Sequence, residues 1–62
     1  MIARTLADQY TAQDCTLDGQ PAIISGRLCD CAYICLLGSM GRVAFSWYTV
    51  DRIMQSGGHF KS

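Results

Sequence analysis

The side chains of this chain best suited to chemistry are four cysteines, Cys15, Cys29, Cys31 and Cys35, and a single histidine, His59. Cys29-x-Cys31-x3-Cys35 together with Cys15 or His59 would supply four soft donors, the complement of a structural zinc ion. The spacing opposes that use. Zinc knuckles leave two or four residues between ligands so that a turn aims both thiolates at one ion. Cys31 and Cys35 instead fall on the same face of one expected strand, about 13 Å apart at a rise of about 3.3 Å per residue. The other roles open to these thiols are small apolar packing, in which free cysteine is common, a redox site, or a disulfide in which Cys15 bridges to the later strand. Packing fits the spacing best, and no metal or other cofactor is expected.

A nucleophile and base would have to be assembled across the fold from one of the cysteines and His59, which has no serine or glutamate beside it in sequence. Next to two glycines near the C-terminus, His59 reads as an exposed polar residue. The acidic residues are all aspartate (Asp8, Asp14, Asp18, Asp30, Asp51). Acid and base catalysis would need two of them to meet, yet four sit at turn or cap positions that account for them locally. Gly38-Ser39-Met40-Gly41-Arg42 has the glycines of a phosphate cradle but joins strand to strand, with no helix N-terminus behind it. No catalytic residue is expected, and the chain reads as a non-enzyme.

These residues are positioned by a chain of 62 residues, half of them apolar, with five basic and five acidic side chains and a net charge of zero. At this size folding buries only about 60% of the unfolded surface. A thin core of this kind is usually supplemented by disulfides, a metal or self-association. Net neutrality offers little protection against association. Arg4, Arg27, Arg42, Arg52 and Lys61 are spread one per segment, without the basic face of a nucleic-acid binder. Asp8 and Gln9 interrupt the N-terminal stretch before an apolar run of signal-peptide length forms, and no segment nears the ~20 apolar residues that span a bilayer. A cytoplasmic location with reduced thiols is expected.

Along the chain, Ile2, Leu6 and Tyr10 recur at four-residue spacing beside Ala3 and Ala7, which predicts a short N-terminal helix within residues 1–12. Residues 14–45 read as a meander of strands. Asp18-Gly19 between apolar flanks is a hairpin signal, because both central positions of the primed turn need positive φ, and Pro21 confines its side of the hairpin to an edge or a first strand position. Ala22–Leu28 forms a strand bent at Gly26, and a turn at Leu28-Cys29-Asp30 leads into a strand from Cys31 to Leu37. That strand pairs antiparallel with Arg42–Phe45. Ser46 is placed to cap a helix over 46–57, with Trp47, Val50, Ile53 and Met54 on one stripe and Asp51 and Arg52 facing away. Residues 58–62 close the fold as a last strand or tail. The expected class is mainly β with short helices, a small and strongly bent antiparallel sheet or SH3-like partial barrel in one domain.

Asp18-Gly19-Gln20-Pro21-Ala22, the Ala32-Tyr33-Ile34 strand, Phe45-Ser46-Trp47, Val50-Asp51-Arg52-Ile53-Met54 and Gly57-Gly58-His59-Phe60-Lys61 together resemble small uncharacterised proteins carried by phages, plasmids and integron cassettes. The resemblance spans roughly residues 14 to 62. It implies a small bent-sheet accessory protein of a mobile element and carries over no catalytic residues.

Strand alternation puts Ala32, Ile34 and Leu36 inward and leaves Tyr33, Cys35 and Leu37 on the opposite face. Either that outer face meets a partner, or the N-terminal helix covers it with Leu6 and Tyr10. The first arrangement implies an interaction module that self-associates, most simply as a dimer using the same patch twice. The alternative is a small nucleic-acid-binding barrel in which Arg27 and Arg42 hold phosphates while Tyr33 and Phe60 stack on bases. A basic stripe on the folded surface would favour the alternative.

Overall fold

Asp18 and Gly19 adopt φ values of 52° and 80°, the conformation of a two-residue primed turn, whose twist matches that of the strands it joins. In the computed structural model, which describes the backbone of residues 2–62 and the side chains from Leu6 onward, this turn pairs β1 (Asp14–Leu17) with β2 (Gln20–Ser25). It thereby sets Leu17 opposite Gln20, Cys15 opposite Ala22 and Asp14 opposite Ile23. Pro21 is the second residue of β2, a strand flanked by β1 and β3, rather than at the expected edge or first position; it is tolerated because it lies beyond the last β2–β3 pair, Ala22 with Leu36.

β2 ends at a reversal around Gly26. Its φ is +95°, and a Cβ there would lie 2.9 Å from the Cys31 carbonyl oxygen, so only glycine lets the chain turn this tightly. β3 (Cys31–Leu36) and β4 (Arg42–Ser46) continue the meander in unbroken antiparallel register, with Ile24 opposite Ile34, Ile34 opposite Val43 and Ala32 opposite Phe45. β3 stops one residue short of Leu37, which lies in the turn.

The Ser46 hydroxyl oxygen accepts the Thr49 amide at 3.2 Å and starts α2 (Trp47–Gln55). The Gly58 amide donates to the Ile53 carbonyl at 2.9 Å and ends it. β5 (His59–Phe60) then lies beside β1, giving the order β4-β3-β2-β1-β5. The sheet is mixed rather than wholly antiparallel, because β5 runs parallel to β1, with Thr16 opposite His59 and Leu17 opposite Phe60. α2 carries the chain back to the end of β1 where Thr16 and Leu17 sit, so the chain enters alongside β1 in the same direction. The bent sheet expected from the sequence is a half-barrel. Its curl brings Phe45 and Phe60, from the two outermost strands, to 5.2 Å between ring centroids.

The concave side holds the core. Leu17, Ala22, Ile24, Ala32, Ile34 and Phe60 from the strands meet Trp47 and Val50 of α2, with Ile53 and Met54 at the margin. Trp47 is fully buried, and its indole Nε1 donates to the Cys29 carbonyl at 3.2 Å, tying the helix to the β2–β3 turn.

α1 (Ile2–Tyr10) packs on α2 on this same side, burying Ala7 and Tyr10 in the core. The Ile2 and Ala3 positions of its expected apolar face lie outside the described side chains. Two expectations are corrected here. α1 does not cover the outer face of the sheet, and Asp51 does not face away from the protein. The Tyr10 hydroxyl donates to Asp51 Oδ1 at 2.5 Å, while Gln55 Nε2 donates to the same oxygen at 3.1 Å. Burial of the Tyr10 ring at the helix pair brings its hydroxyl to the one carboxylate on that flank of α2.

Two stability measurements follow. Trp47→Ala removes the largest buried side chain and should cost about 3–5 kcal/mol in urea denaturation. Tyr10→Phe leaves Asp51 with its Gln55 partner and should cost about 1 kcal/mol at neutral pH. The hydrogen bond to Asp51, then burial, then the Asp51 charge raise the Tyr10 phenol above its ordinary value. Its contribution is therefore complete below about pH 10 and is lost as pH rises through the raised value, because the native state holds the proton longer than the unfolded one. The alkaline fall in melting temperature should be shallower in Tyr10→Phe.

Candidate interaction face

Alternation along β2 and β3 turns one residue in two away from the core, and antiparallel pairing aligns those residues in rows across the convex side. One row runs His59, Thr16, Pro21 and Leu37, the last joined by its amide to the Pro21 carbonyl at 3.1 Å. The next runs Asp14, Ile23, Cys35 and Arg42, and the third Ser25, Tyr33 and Ala44. Tyr33, Cys35 and Leu37 thus share one surface with Pro21, Ile23 and Ala44. Ile23, Tyr33 and Cys35 are half-buried by leaning on one another, and Leu37 is 60% exposed.

Charge on this face is sparse. The Arg42 guanidinium carbon sits 4.7 Å from the centre of the Tyr33 ring, a stacked cation–π contact. The Tyr33 phenol is held above the ordinary tyrosine value, chiefly by the neighbouring Cys31 thiol and then by Cys29, with Arg42 pulling the other way.

Of the residues weighed for nucleic-acid contact, Arg42 and Tyr33 come together, and Arg27 and Phe60 do not join them. Arg27 lies in the β2–β3 turn, where its Nε donates to Asp8 Oδ1 at 2.9 Å. Arg42 lies at the other end of β3, opposite Cys35. Phe60 is 1% exposed and faces Phe45 inside the half-barrel, so it has no free face for a base. β5 alternates, and its inward position falls on Phe60 while His59 points out.

The candidate chemical groups are likewise dispersed. Cys15 is on the concave side and His59 on the convex side, because Thr16, the residue between Cys15 and Leu17, is the one paired with His59. A Cys15–His59 couple is excluded by the sheet itself. His59 Nδ1 instead lies 2.8 Å from the Thr16 hydroxyl. Cys31 and Cys35 occupy the same face of β3, and Cys29 is exposed in the preceding turn. Three of the five aspartates are held by side-chain bonds: Asp8 accepts from Arg27, Asp51 from Tyr10 and Gln55, and Asp18 from the Ser62 amide and hydroxyl at 3.1 and 2.6 Å. Those bonds from Ser62 hold the Asp18 carboxyl below its ordinary value. No group of three His, Cys, Asp or Glu residues arranged to hold a metal occurs among the described residues. Met40, fully exposed, marks Gly38–Gly41 as a solvated hairpin loop.

Pro21, Ile23, Thr16 and Ala44 belong to the outer face but were not singled out from sequence. A signal for them exists: the Asp18-Gly19 turn sets Leu17 opposite Gln20, and counting back from that pair places Thr16 with Pro21 and Asp14 with Ile23.

The thiols give a graded test of this arrangement. Burial first, then the neighbouring Asp14 and Cys35, pushes the Cys15 thiol up, and only a thiolate reacts with an alkylating reagent. Under native conditions at pH 8, mass spectrometry of timed iodoacetamide labelling should find Cys29 modified first and Cys15 last. Early labelling of Cys15 would contradict its place on the concave side. Comparison of the chain with protein-family models, with curated proteins and with solved structures found no match.

Proposed function

We propose that this protein is a non-enzymatic interaction module that self-associates through the outer face of its sheet, with Tyr33, Cys35 and Leu37 in the contact. The observation that carries this is the placement of both helices on the concave side, so that among the described residues no element covers the row from Ile23 to Cys35 and the exposed Leu37. Apolar surface removed from water is worth about 25 cal/mol per Å², so a contact of a few hundred Å² on each chain contributes several kcal/mol. That is a large fraction of the stability of a domain this small. The same patch on two copies makes an isologous pair.

The resemblance of residues 14–62 to small proteins of phages, plasmids and integron cassettes supports placing the module as an accessory protein of a mobile element, working in the cytoplasm. The described residues include no helix long and apolar enough to cross a membrane. Nucleic-acid binding is the less supported reading, since Phe60 is buried and Arg27 is engaged with Asp8, leaving the Arg42–Tyr33 pair as its one support.

Leu37 is exposed in the single chain, so Leu37→Asp should keep the native circular-dichroism spectrum while its melt falls by the loss of the contact. A buried, unpaired carboxylate at the contact should lower the molar mass of the assembly measured by light scattering. An unchanged mass would overturn the use of this face.

A further inference from the structure

We infer a second self-association surface, the free edge of β4, along which another copy of the chain pairs antiparallel about a two-fold axis through Ala44. This rests on the proposed self-association but uses different atoms. In the β3–β4 ladder the Leu36 amide donates to the Gly41 carbonyl at 2.9 Å, which makes Gly41, Val43 and Phe45 the residues bonded to β3. Arg42, Ala44 and Ser46 then direct their N–H groups away from the sheet, with the carbonyls of Arg42 and Ala44 beside them. Among the described residues no strand pairs with that edge.

Of the devices that keep strands apart, the edge carries one, the charged side chain of Arg42. It has five residues in uninterrupted register, without a bulge, a proline or an acidic side chain. Its pattern is self-complementary. With the axis at Ala44, the two Ala44 residues exchange N–H and C=O with each other, and each Ser46 amide meets the Arg42 carbonyl of the other copy, giving four bonds. Arg42 then stands opposite Ser46 rather than another arginine, and two chains of zero net charge do not repel. The Ser46 carbonyl begins α2 and is not needed.

The other edge of the sheet explains why the occupant is another β4. β5 has only two residues, too few for β4 to pair with it head to tail, so the strand that fits β4 is β4 itself.

Ala44→Pro removes the outward N–H while leaving every bond to β3 intact, and proline is tolerated on edge strands. Light scattering of four proteins, with amide hydrogen exchange at Ala44, separates the two surfaces. The parent should form assemblies larger than a dimer. Leu37→Asp should fall to dimers in which the Ala44 amide exchanges at least tenfold more slowly than in the monomer. Ala44→Pro should fall to dimers held by the outer face, and the double variant should be monomeric. If proline strains the strand, the Leu37→Asp protein decides alone, since edge pairing requires it to be a dimer with a slowly exchanging Ala44 amide. A monomeric Leu37→Asp protein, or any assembly in which the Ala44 amide exchanges freely, overturns edge pairing and leaves the outer-face reading standing. A monomeric parent overturns both.

Discussion

A five-stranded sheet has two faces, and a chain of 62 residues carries enough additional structure to cover one of them. Most features of this molecule depend on that limit. The curl of the sheet shrinks the concave face until Phe45 and Phe60 meet across it, and the remaining opening is filled by Trp47, Val50, Ala7 and Tyr10. Helix α2 is held there at both ends, by the Ser46 cap and the Trp47 indole at its start and by the Gly58 amide at its close. α1 packs on α2, where the Tyr10 hydroxyl donates to Asp51.

The convex face takes its character from the same limit. Its side chains bury one another in rows, so that Ile23, Tyr33 and Cys35 are partly shielded while Leu37 is left exposed. The groups with chemical capacity are drawn into local contacts: Asp18 holds Ser62, Asp8 holds Arg27, and His59 lies against Thr16. Each is a hydrogen bond that orders a turn, a helix flank or a strand end. The free backbone of β4 lies beside the same surface.

Much of this was legible in the chain. The Asp18-Gly19 turn, the Ser46 cap, the Trp47 stripe and the inward alternation of Ala32 and Ile34 rest on interactions between residues a few positions apart, which sequence displays directly. The outer position of Tyr33, Cys35 and Leu37 followed from the same alternation. Less visible were contacts between residues far apart in the chain: Tyr10 with Asp51, Arg27 with Asp8, and Phe60 with Phe45. Phe60 is the sharpest case, since a phenylalanine between His59 and Lys61 reads as exposed until β5 is known to lie beside β1.

What the sequence determined by itself is the order of the elements, the Asp18-Gly19 turn, the Ser46 cap and the inward side of β3, because period and capping act within a few residues. Only the tertiary structure decided the direction of β5, the side on which α1 docks and the face left bare. Those depend on how far α2 carries the chain and on which apolar surface the curled sheet leaves within its reach.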